Sequence, residues 1–267
     1  MKRNSLGIRA CNPVIGCTIN CPWCRSRPNA IQRKLTDNFR VPTFHERRTR
    51  MFPTNNSAIF DLCTMSDLSD WKNDWIRTVF NAMDANPQHI YLLSTFRPGR
   101  IILDSYAKEF LERSPNVWIG TTVMVKSDLE RIEALMWNVP ARHFYVNFEP
   151  LLAHLGDFDV SGIDWLHIGN LTGPFGKFYP THKEWILNVA AEGRYYNIPT
   201  TMSESIRPIV GSKNFVFMDP FHQTKGDRTN VDRNPAQDDR VPEGQAHRSD
   251  DRCEGADGLL RSELRDP

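Results

Sequence analysis

Short apolar runs that alternate with helix-period segments constrain this chain more than any other feature. Runs of strand length occur at about Leu6–Ala10, Ala58–Cys63, His89–Ser94, Val117–Val123, His143–Phe148 and Trp165–Gly169, with weaker ones at Pro199–Met202 and Phe215–Met218. Between them, Trp71, Trp75, Val79 and Met83 repeat every four residues after Asp70, which stands where a helix N-cap belongs. Leu129, Ile132, Leu135 and Met136, following Ser127-Asp128, predict a second helix. Trp185, Ile186, Val189 and Ala190 predict a third. Near-continuous apolar strands separated by helices describe a parallel sheet with crossover helices. About six such units are too few for a closed eight-fold barrel. The expected fold is therefore α/β, a partial (β/α)6 TIM-like barrel, over residues 1–221.

Composition breaks after that point. From His222 to Pro267 there is no Phe, Trp or Tyr, and charged residues fill 19 of 46 positions. Such a segment buries too little apolar surface to offset its ordering entropy, so residues 222–267 are expected to be a disordered polar tail. Leu259, Leu260 and Leu264 are its one weak amphipathic patch. The tail carries a net −3 and the rest of the chain +4. An overall charge of +1 gives no general attraction to nucleic acid or membrane. No apolar run approaches the roughly eighteen residues that span a bilayer, and Met1-Lys2-Arg3-Asn4-Ser5 is not followed by a signal-like stretch. Six irregularly spaced cysteines do not form a disulfide framework, which points to a reducing cytoplasm.

Three of those cysteines carry the chemistry. Cys17, Cys21 and Cys24 follow a C-x3-C-x2-C pattern, with Trp23 just before the last thiol. Thiolates on so short a loop can hold three of the four irons of a cubane iron–sulfur cluster. The usual fourth cysteine is missing from the loop, which leaves one iron open to an exogenous ligand. Zinc is the alternative, since short cysteine clusters in reducing compartments commonly bind it, but it prefers four ligands. The nearest further ligands, Cys11 and His45, belong to no second tight pair. Cys63 reads as core and Cys253 as incidental.

Cys17, Cys21, Trp23 and Cys24 resemble the signature of the radical S-adenosylmethionine (radical SAM) enzymes. A narrower resemblance rests on Asn12-Pro13-Val14-Ile15-Gly16-Cys17, Met65-Ser66-Asp67-Leu68, Pro87-Gln88-His89, Arg97-Pro98, Asn116-Val117-Trp118-Ile119-Gly120, Phe148-Glu149-Pro150-Leu151-Leu152 and Ile163-Asp164-Trp165, in this order. Together these are similar to a phage- and prokaryote-associated radical SAM family of unknown function, the DUF5131 type, over roughly residues 6–218. The resemblance implies a partial barrel and a [4Fe-4S] cluster on Cys17, Cys21 and Cys24. It further implies SAM on the open iron and an electron donor such as flavodoxin or ferredoxin. The implied reaction is reductive cleavage of SAM to a 5′-deoxyadenosyl radical, which takes hydrogen from a substrate the resemblance does not name.

In parallel α/β folds ligands gather at the carboxyl ends of the strands. By resemblance, the turn after the second strand binds the methionine amine of SAM, so Ser66 and Asp67 are the candidates there. Radical SAM proteins often carry Gly-Gly-Glu at that place, and this chain has Met65-Ser66-Asp67 instead. Asp67 also suits a helix cap. Thr122 is the candidate for the ribose hydroxyls, and Trp23 for sheltering the cluster beside the adenine. Arg97 and Glu149, at strand ends, are candidates for binding SAM or a substrate, a mutual ion pair being the alternative. Ser203 stands where the resemblance leads one to expect lysine.

One charged segment lies beside this ring. Arg25, Arg27, Arg33, Lys34, Arg40, Arg47, Arg48 and Arg50 face only Asp37 and Glu46, with Phe39, Phe44 and His45 interleaved. Such a strip can hold phosphates and stack bases, or simply be a solvated flank. It supports the rival reading of the whole chain: a non-catalytic, metal-stabilised nucleic-acid-binding module. Radical chemistry on nucleic acid would join the two readings.

Overall fold

The computed structural model describes residues 6–52 and 56–221. Nine strands run in chain order: β1 (Arg9–Ala10), β2 (Val14–Ile15), β3 (Thr43–Phe44), β4 (Ile59–Asp61), β5 (Ile90–Thr95), β6 (Val117–Thr122), β7 (His143–Phe148), β8 (Trp165–Ile168) and β9 (Thr200–Met202). Seven of them form one sheet in the order β1-β4-β5-β6-β7-β8-β9, and every neighbouring pair is parallel. A strictly sequential parallel order is the winding of a barrel, and seven strands make a curled half-barrel. The seventh strand comes from the weaker run at Pro199–Met202. The other weak run contributes a single antiparallel bridge, Phe217 to Thr201, rather than a strand. The expected tail, Leu259, Leu260, Leu264 and Cys253 lie outside the described residues.

Alternation along β7 shows how the sheet divides its residues. Val146 and Phe148 face outward into a buried layer with Ile186, Val189 and Ala190 of the helix Lys183–Tyr195. Tyr145 turns inward to a cluster with Ile59, Leu92, Trp118 and Trp165, which fills the half-barrel. Gly120 of β6 is the complement of that ring, for a Cβ there would fall on the Tyr145 side chain. On the outer face, Phe80 of α2 (Asn73–Asp84) and Phe110 of α3 (Ser105–Arg113) meet with tilted rings 4.7 Å apart over the first strands.

α2 and α4 (Glu130–Asn138) follow the expected periodicity, with one correction. Asp70 does not cap α2, whose N-cap is Lys72. Its carboxylate instead accepts from the backbone and hydroxyl of Thr18, 52 residues away. Among the described residues no helix is long and apolar enough to cross a membrane.

Candidate active site

The cysteine loop is held from three sides. It leaves β2, which pairs with β3 in a small antiparallel ribbon. Gly16 then turns with φ of 112°, where a Cβ would lie 2.7 Å from the Val41 carbonyl, so glycine alone suits both the angle and the space. Its N–H donates to the Met65 carbonyl at 3.0 Å, and the Cys17 N–H to that of Phe39 at 2.7 Å. Thr18 donates to Asp70 and accepts from Arg97, which also pairs with Asp70 at 2.6 Å. The loop is thereby fastened to the turns that follow β4 and β5.

Around this loop lies a cavity of about 360 Å³ at the carboxyl ends of the strands. Cys17, Cys21, Trp23 and Cys24 line one side. Cys63 to Asp67 after β4, Phe96 after β5, Asn147 and Glu149 of the β7 end, and Asn170 to Thr172 after β8 complete it. Cys17 and Cys24 pack against the buried Ile15, Ala30 and Phe39. Among the described residues no three His, Cys, Asp or Glu groups converge closely enough to hold a single metal ion. The three thiols stand instead along the wall of a shared cavity. Burial is the main reason the Cys17 and Cys21 thiolates are disfavoured: it pushes Cys17 up to about 12 and Cys21 to about 11. Neighbouring carboxylates and thiols add to this, and hydrogen bonds to the backbone oppose it. A ligand that binds here must displace protons, as soft metal centres do with thiols. Cysteine thiols among apolar neighbours are the residue type an iron–sulfur cluster takes as ligands.

Asp67 is the hub of the β4–β5 side. Its Oδ1 accepts from the Ser69 backbone at 2.9 Å, the Ser69 hydroxyl at 2.5 Å and the Thr95 hydroxyl at 2.7 Å. Oδ2 accepts from the Phe96 backbone at 2.7 Å. The side chain caps the 3-10 turn Leu68–Asp70 and is almost wholly buried. Ser66 Oγ accepts the Trp71 indole N–H at 3.0 Å. Both residues line the cavity, but each is already committed to holding the turn.

Arg97 and Glu149 do not pair with one another. Arg97 is bound to Asp70, Ser69 and Thr18, and it stands behind the cavity wall rather than in it. Glu149 does line the cavity, with its carboxylate in the space left by Gly169, where a Cβ would overlap it. Its Oε2 accepts from His167 Nε2 at 3.0 Å and from the Ser203 hydroxyl at 3.1 Å. His167 Nδ1 meets Thr201 Oγ1 at 2.9 Å, and Trp165 donates to that same oxygen at 2.8 Å. Burial would raise the Glu149 carboxyl, but the hydrogen bond and charge of His167, the Ser203 hydroxyl and Arg25 outweigh it and hold it below the usual range. Serine and glutamate both meet the same histidine nitrogen. A serine nucleophile triad needs them on opposite nitrogens. The cluster therefore presents an ionised carboxylate, not an activated hydroxyl.

Sequence alone did not mark His167 or Ser203 as partners of Glu149. The available signal was a polar residue facing inward within an apolar strand, as His167 does in Trp165–Ile168. Trp23 meets Tyr179 edge-on at 5.4 Å, and Arg25 donates to the Thr172 carbonyl. These two contacts tie the cysteine loop to the segment after β8. Thr122 is buried, its carbonyl accepts from Arg131, and it is not part of the cavity wall. In the basic strip, Phe39 is buried under the cysteine loop and Phe44 stacks on Trp75 at 5.9 Å, so neither is open to a base.

No curated protein matches the chain. A solved glycoside hydrolase, the GH6 enzyme of Orpinomyces sp. Y102, aligns with 11% identity over 68% of each chain and a TM-score of 0.29, too low to carry an argument. Residues 8–203 match the model of the family described as "Protein of unknown function (DUF5131)", and the chain belongs to that family.

Proposed function

We propose that this chain is a radical SAM enzyme whose cluster is held by Cys17, Cys21 and Cys24. The observation that carries the reading is the shared cavity. All three thiols of the spaced motif line one pocket at the carboxyl ends of a parallel half-barrel, where polar strand ends face them. When bound, the cluster supplies one electron, drawn from a donor such as flavodoxin or ferredoxin, to cleave SAM to the 5′-deoxyadenosyl radical that takes a hydrogen atom from the substrate. The protein's part is to hold, orient and exclude.

Asp67, with four donors on its carboxylate, keeps the β4–β5 turn in shape instead of offering a free charge. Ser66 shares that work through Trp71. Glu149 is the carboxylate with capacity to spare: two protein donors use Oε2, and among the described residues none reaches Oε1. We assign it to an N–H donor of SAM or substrate. Trp23 with Tyr179, and Arg25 with Thr172, narrow the approach from solvent.

Anaerobic reconstitution of the wild type and of Cys21→Ala, followed by reduction with SAM, tests the proposal. Release of 5′-deoxyadenosine by the wild type alone is expected. A Cys21→Ala protein that keeps its cluster absorbance and cleaves SAM would refute it.

A further inference from the structure

Basic side chains concentrate in one stretch of this molecule. Outside residues 25–50, Arg77, Arg97, Arg113, Arg131 and Arg207 each lie within 2.8 Å of a carboxylate, while the other described arginines and lysines, in no ion pair among the described residues, are scattered along the chain. Within residues 25–50 there are seven arginines and one lysine, and among the described residues none of them forms an ion pair. Arg25 and Arg27 donate to the Thr172 carbonyl and to Asn20. Arg33, Lys34, Arg40, Arg47 and Arg50 are exposed. Apolar side chains lie among them, Ile31 at 49% and Val41 at 55% exposure.

The segment that carries these charges is the collar of the cysteine loop. The helix α1 (Ser26–Gln32) continues directly from Cys24, Phe39 bonds to Cys17, Val41 and Pro42 close on Gly16, and β3 pairs with β2. A ligand on the part of the strip from Arg25 to Arg40 is therefore held beside the cavity that Arg25 and Phe39 line. Unpaired guanidinium groups at a surface, spaced along one segment, match a polyanion that carries a charge at every unit. With Phe39 buried and Phe44 stacked on Trp75, the strip offers charge and no aromatic platform.

We infer that the collar of residues 25–50 binds the phosphodiester backbone of single-stranded nucleic acid, without regard to base sequence, and presents one of its nucleotides to the cavity. Single strands fit because a nucleotide must leave any stack before it can enter a pocket of this size. The binding half of this inference is independent of radical chemistry; only the identification of the polymer as substrate rests on the proposed function.

The test is fluorescence anisotropy of the full chain with fluorescein-labelled 20-nucleotide single-stranded DNA and RNA, and with a duplex of the same length. Affinities are read from 50 to 200 mM salt. Two triple variants carry the same change in net charge: Arg33→Glu/Arg40→Glu/Arg47→Glu in the collar and Arg100→Glu/Arg142→Glu/Arg194→Glu elsewhere. The wild type is expected to bind a single strand with a Kd of about 10 μM or tighter at 50 mM salt. The collar variant should bind at least tenfold more weakly, with its salt slope flattened by about 2, while the distant variant stays within about threefold of wild type. Preference between DNA and RNA identifies which polymer is used. No binding at 50 mM salt, preference for the duplex, or equal losses in both variants overturns the inference. Should the collar triple fail to fold, single Arg→Gln changes at 33, 40 and 47 are read the same way. Binding without SAM cleavage would leave the inferred interface standing and remove the proposed enzyme.

Discussion

Four thiols reach the cavity wall, and Cys63 is held differently from the other three. It ends the β4 side, its N–H donates to Asp61 Oδ1 at 3.0 Å, and burial pushes its thiol far above the ordinary value. A three-cysteine cluster with an open iron requires that Cys63 not be a ligand. Cys63→Ala should thus keep about four irons per chain after reconstitution, whereas Cys21→Ala should lose most of them, as read by iron analysis. Equal loss in both variants would mean a closed four-thiolate cluster. Asp61 itself yields a second expectation. Burial raises its carboxyl from 3.8 to about 6, against the opposing bond from Cys63. A raised carboxyl favours the folded state only while protonated, so this contribution is full below pH 3.8 and lost as pH rises through 6. Asp61→Asn, neutral throughout, should be more stable than wild type at pH 7–8 by up to about 3 kcal/mol. The difference should vanish near pH 4, as followed by urea midpoints.

At the scale of elements, the tie between loops matters more than any single strand. Arg97 joins Asp70, Ser69 and Thr18, with Asp70 largely buried. Arg97→Ala should cost about 1–3 kcal/mol in urea unfolding. It should also speed iron release to a chelator from reconstituted protein, since the cysteine loop loses its anchor; unchanged release would show that the anchor is dispensable. The central strands were legible in the sequence because strands buried on both faces read as continuous apolar runs. α1 and α3 were not. In Ser26–Gln32 only Ala30 is buried, too few to mark a period, and in Ser105–Arg113 Ala107, Phe110 and Leu111 give a single i, i+3, i+4 repeat among charged residues. Asp70 looked like a cap because its position suits one. Its true partner, Thr18, is distant in sequence, and no local pattern reports such a contact. Arg97 and Glu149 were recognised as strand-end charges, yet their partners Asp70 and His167 depend on how turns meet across the sheet.

The whole molecule places a cysteine loop, an ionised carboxylate and an unpaired basic collar around one opening in a half-barrel. Each of these is carried by a different stretch of chain: residues 16–24, the end of β7, and residues 25–50. Sequential parallel winding is what brings their strand ends to one side. The barrel, the thiols and the basic strip beside them could be foreseen from pattern and spacing, but how the strip closes on the loop could not, since it depends on Gly16 folding under Val41. The central claim is that three thiols leave an iron free for SAM. Its most direct test is electron paramagnetic resonance of the anaerobically reconstituted, reduced protein, recorded with and without SAM. A reduced four-iron signal that shifts when SAM is added is the predicted result. No cluster signal, with about one zinc retained per chain, would contradict it.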